Sequence, residues 1–158
     1  IIAVCGPNGS GKSSIVHALE GSLSYDGSLM IPKRFTRCIV HQQPLWQQGR
    51  LADHVLAAGI DPTRYRTVLA ALGVRGDVFD RDLSTFSYGQ WKKIDLARSF
   101  LMPYDLIVWD EPFNGLDPDT RNRVADAVAA ASPTMLIIDH DTAALSRFTT
   151  DVIRLMGP

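Results

Sequence analysis

The stretch IIAVCGPNGSGKSSIVHALEG, residues 1–21, is the part of this chain that decides its fold. It opens on the continuous apolar run IIAVC, which is typical of a strand buried on both faces of a parallel sheet. Helical periodicity follows from Lys12 to about Glu20, and the glycine directly after it is a natural helix stop. The loop between them, from Gly6 to Ser13, fits G-x-x-x-x-G-K-[ST] in full. Strand, loop and helix in this order predict an α/β fold.

The loop has the chemistry of a phosphate-binding site. Gly9 and Gly11 allow the backbone to wrap so that its N–H groups point inward at phosphate oxygens, and the positive end of the following helix adds to the field. Lys12 would reach the β- and γ-phosphates, and Ser13 would ligate Mg²⁺. A glycine-rich turn with a chance lysine would not explain the strand before the loop and the helix after it. We therefore predict a nucleoside triphosphate site.

Composition and charge exclude some classes of protein. The chain has 158 residues, with 16 Lys and Arg against 17 Asp and Glu, which argues against a surface that coats nucleic acid, although a local basic patch could exist. Cys5 and Cys38 lie far apart without metal-ligand spacing, so we predict two buried thiols in a reducing, cytoplasmic environment. No apolar run reaches the length of a transmembrane helix, so we expect no membrane insertion of this chain.

Apolar strands alternate with helical patterns along the rest of the chain, which predicts a mostly parallel sheet covered by helices on both faces. We expect the full length, 1–158, to form one domain, with a helical subdomain inserted at 43–86 because that block has no strand signal. Since the chain opens inside a strand, we also expect an upstream part to be missing. The further strands are predicted at 37–41, 106–110, 134–139 and 151–155, and the further helices within 50–59 and at 62–73, 88–101, 118–131 and 142–148.

Polar side chains follow two of these strands. Asp110 and Glu111 come directly after LIVW, at the edge of the sheet where ligands bind in open α/β folds. Asp110 suits the second shell of Mg²⁺, and Glu111 suits a general base for attack on the γ-phosphate. Two surface carboxylates before a turn are the alternative, but a buried strand rarely ends in two adjacent acids without a cation nearby. His140 follows the strand TMLIID and is a candidate sensor of the γ-phosphate at the same edge.

The stretch FSYGQWKK, residues 86–93, predicts the start of a helix to which something approaches closely. Ser87 fits an N-cap, and Gln90, three residues on, completes a capping box. Gly89 is the position where close approach most needs a missing side chain. Tyr88 is too bulky for such a place. We therefore predict that Tyr88 points away from the nucleotide toward a domain interface, and that its replacement by glycine is tolerated.

Taken together, these motifs resemble those of the ATP-binding cassette (ABC) ATPases, which implies a P-loop NTPase fold of the ABC type and Mg²⁺-dependent ATP hydrolysis. GPNGSGKS resembles the Walker A loop, LIVWDE the Walker B strand, FSYGQ the signature motif, and NGLD at 114–117 the D-loop. Gln42 resembles the glutamine of the Q-loop, with Gln43 as the competing choice. The aromatic residue that stacks on adenine in this family would lie upstream of the chain.

The resemblance implies a role for each motif residue. ATP would be sandwiched between the Walker A loop of one cassette and the signature of a second, so a partner cassette, in tandem or in a dimer, is expected. The implied residues are Glu111 and His140 for catalysis; Gly6, Asn8, Gly9, Gly11, Lys12, Ser13 and Ser14 for the phosphates; Ser13, Gln42 and Asp110 for Mg²⁺; Ser87, Gly89 and Gln90 for the ATP of the partner; and Asp117 in the D-loop.

The run FSYGQWKKIDLARSFLMPYDLIVWDEPFNGLD, followed by PTMLIIDHD, resembles the second cassette of ABC-F proteins, closest to the antibiotic-resistance branch that protects ribosomes. That likeness implies the ribosome and its rRNA as partners. The segment 43–86 is short for a surface that grips a membrane domain. However, Gly-Leu-Asp-Pro at 115–118 reads like an importer ATPase, so the ATP-binding subunit of a membrane transporter is the alternative. Of the basic clusters that could contact RNA, 33–37 and 64–66, a solvated face is the preferred interpretation.

Overall fold

Five parallel strands form a single sheet in this computed structural model, which describes residues 1–156. Their order across the sheet is β2-β3-β4-β1-β5, so the first strand of the chain lies inside the sheet. The strands are β1 (Ile2–Cys5), β2 (Arg37–Val40), β3 (Leu106–Asp110), β4 (Met135–Ile138) and β5 (Asp151–Arg154). The helices are α1 (Lys12–Glu20), α2 (Leu51–Ala57), α3 (Pro62–Ala71), α4 (Tyr88–Leu101), α5 (Pro118–Ala131) and α6 (Thr142–Leu145), with a short 3-10 turn at Leu83–Thr85.

Helices cover both faces of the sheet because alternate residues of each strand point to opposite sides. In β3, Val108 belongs to a small apolar cluster with Val16 of α1, whereas Trp109 belongs to the large cluster that α2 to α5 complete. Trp109 is fully buried, its Nε1 donates to Ser99 Oγ at 3.0 Å, and its ring packs edge-on against Phe100 of α4. The continuous apolar strands of the sequence are therefore strands with two buried faces, as predicted.

The predicted helix boundaries are largely confirmed. α1, α4 and α5 begin and end at the predicted residues, because each has a cap or stop that the sequence shows. The helix predicted at 142–148 is shorter and ends at Leu145. The backbone there tightens into i→i−3 hydrogen bonds, from Arg147 N to Ala144 O and from Phe148 N to Leu145 O.

The segment 43–86 contains α2, α3 and the 3-10 turn, and none of its residues belongs to a strand of the sheet. It packs on α4 through apolar side chains continuous with the large cluster. Tyr65 of α3 is completely buried, and its hydroxyl donates to the Ile94 carbonyl of α4 at 2.5 Å. Both cysteines are buried and free, as predicted, and burial raises the pKa of each thiol. Among the described helices, none has the length and apolarity needed to cross a membrane.

Candidate functional site

The carboxyl ends of the parallel strands bring four turns together at one edge of the sheet. In the register of the strands, Ile138 of β4 lies opposite Val4 of β1 on one side and Asp110 of β3 on the other. The turns that follow these strands therefore start at the same level. This is the edge at which open α/β sheets bind ligands.

The loop after β1 depends on glycine at several positions for different reasons. Gly9 and Gly11 have φ angles of 79° and 87°, in the left-handed region that other residues adopt only at a cost. Gly6 instead lacks room, since a Cβ there would lie 2.8 Å from the Leu155 carbonyl oxygen. Gly11 is the N-cap of α1 and has no side chain to cap it, so the N–H groups of the first turn are left for a ligand.

Lys12 closes this loop on itself. Its ammonium donates to the Gly6 carbonyl at 2.9 Å and to the Pro7 carbonyl at 2.8 Å, and the residue is only 7% exposed. The positive charge is thereby held under the loop, where a phosphate could draw it out. The arrangement suits a lysine that pairs with an anion.

A cavity of about 450 Å³ opens beside the loop and brings most of the predicted site residues together. Its wall contains residues from three of the four turns, and Glu111 lines it together with the loop after β1. The lining residues are Asn8, Gly9, Gly11, Lys12, Ser13, Ser14, Gln42 and Glu111. Gly6 lies beneath the loop instead and contributes the carbonyl that holds Lys12.

Asp110 and Glu111 are placed differently although they are adjacent. Asp110 is 5% exposed, and its Oδ1 is buried without a hydrogen-bond partner in the part of the chain that the structure describes. An orphaned buried carboxylate oxygen of this kind suits a cation or an ordered water as its partner. Glu111 has a φ of 47°, rare for a residue with a side chain, and its N–H donates to Ile138 O at 2.8 Å. Strain of this kind, about 1–3 kcal/mol, is concentrated at functional sites.

The oxygen atoms around Asp110 fit a magnesium ion. Ser13, Gln42 and Asp110 line a second cavity, of about 440 Å³, and Ser13 and Gln42 also line the first. Hydroxyl, amide and carboxylate oxygens are the ligands that Mg²⁺ prefers. Residues 1–156 contain no group of three or more His, Cys, Asp or Glu that could hold a metal by themselves. The ion would therefore need phosphate oxygens to complete its shell, as Mg²⁺ commonly does.

The two candidate glutamines after β2 separate in the structure. Gln42 lines the cavity that contains Lys12 and Glu111, whereas Gln43 lines only the second cavity. The main-chain carbonyl of Gln42 accepts hydrogen bonds from Tyr88 and Lys92 of α4. The geometry therefore favours Gln42 over Gln43 for contact with a nucleotide.

His140 lies at the predicted edge but is not among the residues that line the cavity. Its side chain is 70% exposed, with Nδ1 3.6 Å from the Asp139 carboxylate. Asp139 is the residue that the sequence reasoning missed here. It is 1% exposed, and it accepts hydrogen bonds from the N–H groups of Phe113 at 3.3 Å and Asp141 at 2.9 Å. The end of β4 is thus tied to the turn that contains Glu111.

The start of α4 has the capping box that the sequence predicts. Gln90 N donates to Ser87 Oγ at 3.3 Å, and Ser87 N donates to Gln90 Oε1 at 2.9 Å. Ser87, Gly89 and Gln90 are not among the residues that line the cavity containing Lys12 and Glu111. A Cβ on Gly89 would lie 3.0 Å from the Gly115 carbonyl oxygen, so this glycine packs against the turn after β3.

The predicted orientation of Tyr88 is wrong, and the contacts it makes instead do not support the expectation that its replacement by glycine is tolerated. Its ring turns into its own domain, where the hydroxyl donates to Gln42 O at 2.7 Å and the ring covers Gly115. Gly115 leaves the space for that ring, since a Cβ there would lie 2.6 Å from Tyr88 Cδ1. Burial raises the pKa of Tyr88, and the negative charge of Glu111 raises it further. The sequence could not show that a glycine in the D-loop makes room for this side chain.

Lys92 is a second residue that the sequence reasoning missed. It is fully buried, and its ammonium donates to His41 O at 2.8 Å and Gln42 O at 3.2 Å. Burial lowers the pKa of this lysine. The neighbouring Lys93 instead reaches the Asp117 carboxylate at 3.4 Å. The available signal was the spacing of four residues between Tyr88 and Lys92, which places both on one face of the helix.

Asp117 caps α5. Its carboxylate accepts hydrogen bonds from the Thr120 hydroxyl at 2.7 Å and the Thr120 N–H at 2.8 Å. These bonds hold the pKa of Asp117 well below its usual range, with a smaller contribution from Lys93. The residue is therefore a charged N-cap in the structure, as the Asp-Pro pair predicts.

A family model described as ABC transporter matches residues 1–114. The chain belongs to this family, whose ATP-binding domains hydrolyse ATP. It is 34% identical, over 96% of its length, to the glutathione/L-cysteine transport system ATP-binding/permease protein CydD of Escherichia coli K12, and covers 30% of that protein. It is 28% identical, over 98% of its length, to the tylosin resistance ATP-binding protein TlrC of Streptomyces fradiae, and covers 29% of it. The chain thus spans less than a third of either relative.

Among solved structures, the archaeal ribosome recycling factor aABCE1, in complex with the ribosomal stalk protein aP1, superimposes with a TM-score of 0.73. The sequence identity is 22%, and the match covers 91% of this chain and 33% of that chain. At this identity the likeness shows the fold, which confirms the predicted α/β class of ABC-type P-loop NTPases. Most of the relatives compared are named as transport proteins.

Proposed function

We propose that this chain is the ATP-binding and ATP-hydrolysing cassette of a two-cassette assembly, and that it completes its sites only with a second cassette. The observation that carries the proposal is the separation of its motifs. Lys12, Gln42 and Glu111 line one cavity, whereas Ser87 and Gly89 lie outside it. The capped start of α4 is thereby left for an ATP that another cassette holds.

Within the chain's own site, the phosphate loop supplies binding through its N–H groups and Lys12. Glu111 lines the same cavity and would orient the attacking water and accept its proton. Ser13, Gln42 and Asp110 would hold Mg²⁺, which neutralises charge on the phosphate oxygens when bound. Asp117 would contribute the D-loop contact, and His140 would reach the γ-phosphate once a second cassette closes the edge of the sheet.

The finer proposal is that the cassette belongs to an ABC-F protein that protects ribosomes and confers antibiotic resistance, in the cytoplasm. The wording of the motifs from FSYGQ to DHD supports it. So does the match to TlrC, a tylosin resistance protein, over 98% of the chain. The segment 43–86 is proposed to act as the helical subdomain of the cassette within a single domain, 1–158, and its packing on α4 supports that role. The ribosome and rRNA are the proposed partners.

The second candidate function is that of an ATP-binding unit of a membrane transporter. The 34% identity to CydD, which is named as a transport ATP-binding/permease protein, favours it. The partners would then be membrane domains rather than rRNA.

The variant Glu111→Gln separates the two candidates. It should keep the nucleotide site and lose the proton acceptor, so ATP hydrolysis is expected to fall about 100-fold or more while ATP stays bound. In the intact protein, the trapped ATP state should co-sediment with ribosomes, and the ADP state should not. The control is Lys12→Ala combined with Glu111→Gln, which loses the phosphate contact and should abolish the ATP dependence.

Two results would go against these proposals. If the Glu111→Gln protein does not co-sediment with ribosomes in the presence of ATP, the ribosome hypothesis is wrong. A wild-type protein that binds no ATP at all would end the broader proposal of an ATP-hydrolysing cassette.

A further inference from the structure

One face of α4 holds the chain just after β2. Tyr88 and Lys92, one helical turn apart, both reach the backbone there. The Tyr88 hydroxyl donates to Gln42 O at 2.7 Å, and the Lys92 ammonium donates to His41 O at 2.8 Å and to Gln42 O at 3.2 Å. We name this pair of side chains the Tyr88–Lys92 clasp.

The same helix face holds the chain on both sides of the clasp. Asp95 accepts a hydrogen bond from Leu45 N at 3.3 Å, and Arg98 donates to Ile39 O at 3.2 Å. Asp95 and Arg98 are buried and paired with each other at 2.7 Å. These anchors fix the segment on α4, and the clasp acts between them on His41 and on Gln42, the residue of this segment that lines the cavity beside the phosphate loop.

The ring of Tyr88 adds a third contact. It covers Gly115, in the turn that begins with Glu111, and the carboxylate of Glu111 is close enough to raise the pKa of the tyrosine. One side chain at the start of α4 thus contacts both the main chain of Gln42 and the turn that contains the proposed catalytic base. Tyr88 also directly follows Ser87 in the chain, and Ser87 is the N-cap that would face the ATP of a second cassette.

We propose that Tyr88 and Lys92 are positioning residues that couple the chain's own nucleotide cavity to the start of α4. They hold the backbone of Gln42, which lines the same cavity as Glu111, and they pass any displacement of Gln42 to Ser87. This inference rests on the proposed function, since it assigns the link between the two half-sites of one cassette. A rigid link is expected because Lys92 is fully buried, and breaking it would leave carbonyls without donors.

The chain offers a matched control for Tyr88. Tyr65 is buried, and its hydroxyl also donates to a main-chain carbonyl, that of Ile94 in α4. It lines neither cavity beside the phosphate loop. Tyr88→Phe and Tyr65→Phe therefore remove the same atom and the same kind of bond, but only the first touches Gln42.

The first readout is hydrogen exchange in the intact protein without nucleotide. Tyr88→Phe should speed exchange of the amides at 41–46, other than Pro44, which has none, by roughly 2- to 10-fold, the range expected for loss of one hydrogen bond. Tyr65→Phe should lower the midpoint of urea unfolding but leave exchange at 41–46 within the error of wild type. Equal protection of 41–46 in wild type and Tyr88→Phe would overturn the clasp.

The second readout separates positioning from stability. Tyr88→Phe should lower kcat for ATP hydrolysis by roughly 3- to 10-fold while KM for ATP changes less than about 2-fold, because the phosphate loop is intact. Tyr65→Phe should leave kcat unchanged. In a Gln42→Ala background, Tyr88→Phe should have little further effect on kcat, since its route of action is already gone. Full additivity of the two substitutions would overturn the proposal.

Lys92→Met extends the test to the other half of the clasp, since it keeps the length of the side chain and removes the donors. It should speed exchange at 41–46 as Tyr88→Phe does. The proposals remain distinguishable. If wild type hydrolyses no ATP, the proposed function fails, and the exchange experiment still decides whether the clasp holds Gln42. If wild type is active and Tyr88→Phe behaves like Tyr65→Phe, only the clasp fails.

Discussion

The two helices that would face phosphate in this molecule begin in opposite ways. The N-cap of α1 is Gly11, which is in the left-handed conformation and offers no side-chain cap, whereas α4 starts with a complete capping box between Ser87 and Gln90. The N–H groups at the start of α1 are left open for a ligand that its own chain surrounds. At the start of α4 one of these groups is already satisfied, so the helix holds its shape before a partner arrives. The difference separates a binding site from a preformed surface.

The largest effect should come from the open helix end. Lys12→Ala removes the ammonium that donates to the Gly6 and Pro7 carbonyls. ATP hydrolysis should fall about 100-fold or more, because the positive charge that would pair with the phosphates is lost. Steady-state hydrolysis and ATP binding measure this. Lys33→Ala, an exposed lysine outside the cavity, is the control and should behave as wild type. An active Lys12→Ala protein would contradict the assignment of the loop.

The capped end should respond differently to a severe substitution. Gly89→Asp puts a carboxylate where the ATP of a partner should approach, and its Cβ would lie 3.0 Å from Gly115 O. ATP-driven closure of the two cassettes should be lost, with hydrolysis down about 10- to 100-fold by charge repulsion and crowding. Binding of ATP to the chain's own cavity should persist. Equilibrium nucleotide binding and ATP-dependent closure should be measured in the intact protein. If Gly89→Asp loses both together, the start of α4 and the chain's own cavity do not act separately.

A milder pair of variants compares the two helix starts directly. Ser87→Ala removes the cap of α4 and should lower the free energy of unfolding by about 1 kcal/mol. Ser13→Ala, in the first turn of the uncapped α1, should change stability by less than about 0.5 kcal/mol and instead weaken the Mg²⁺ dependence of hydrolysis. Urea unfolding and a Mg²⁺ titration measure the two effects. Equal losses of stability would remove the contrast between the helix ends.

The smallest effect concerns the start of α5, which Asp117 caps. The pKa of Asp117 is held below its usual range mainly by the Thr120 hydroxyl and N–H, so the charged form stabilises the fold above about pH 4. This stabilisation is lost as the pH falls through the lowered pKa, since protonation then becomes possible in the folded state. Asp117→Asn keeps an acceptor without the charge. The difference in unfolding midpoint between Asp117→Asn and wild type should stay constant from about pH 7 to about pH 5 and shrink below about pH 4. A difference that stays constant down to about pH 3 would contradict the charged cap.

Local signals predicted much of the fold. The bounds of α1, α4 and α5 follow from Gly21, Ser87 and Asp117, each of which caps or stops a helix by its own chemistry. The placement of Asp110 and Glu111 at the end of β3 was also predictable, because these two acids directly follow a continuous apolar run. The order of strands across the sheet was not, since it depends on which apolar faces meet.

Side-chain directions within the site were the least predictable part. Tyr88 was expected at an interface, and it lies against Gly115 instead. Lys92 and Lys93 are adjacent in the sequence, yet one is fully buried on carbonyls and the other reaches Asp117. Gln42 and Gln43 were likewise equivalent until the register of the chain after β2 was known.

The sequence by itself determined the local chemistry of this protein: a loop of glycines and a lysine that is predicted to bind phosphate, an acidic strand end, and a helix whose first turn caps itself. These depend on contacts between residues at most a few positions apart, so spacing alone reveals them. The tertiary structure decided which residues share a cavity and which helix face holds Gln42. Such contacts join residues 46 to 51 positions apart, and their partners are selected by packing in three dimensions.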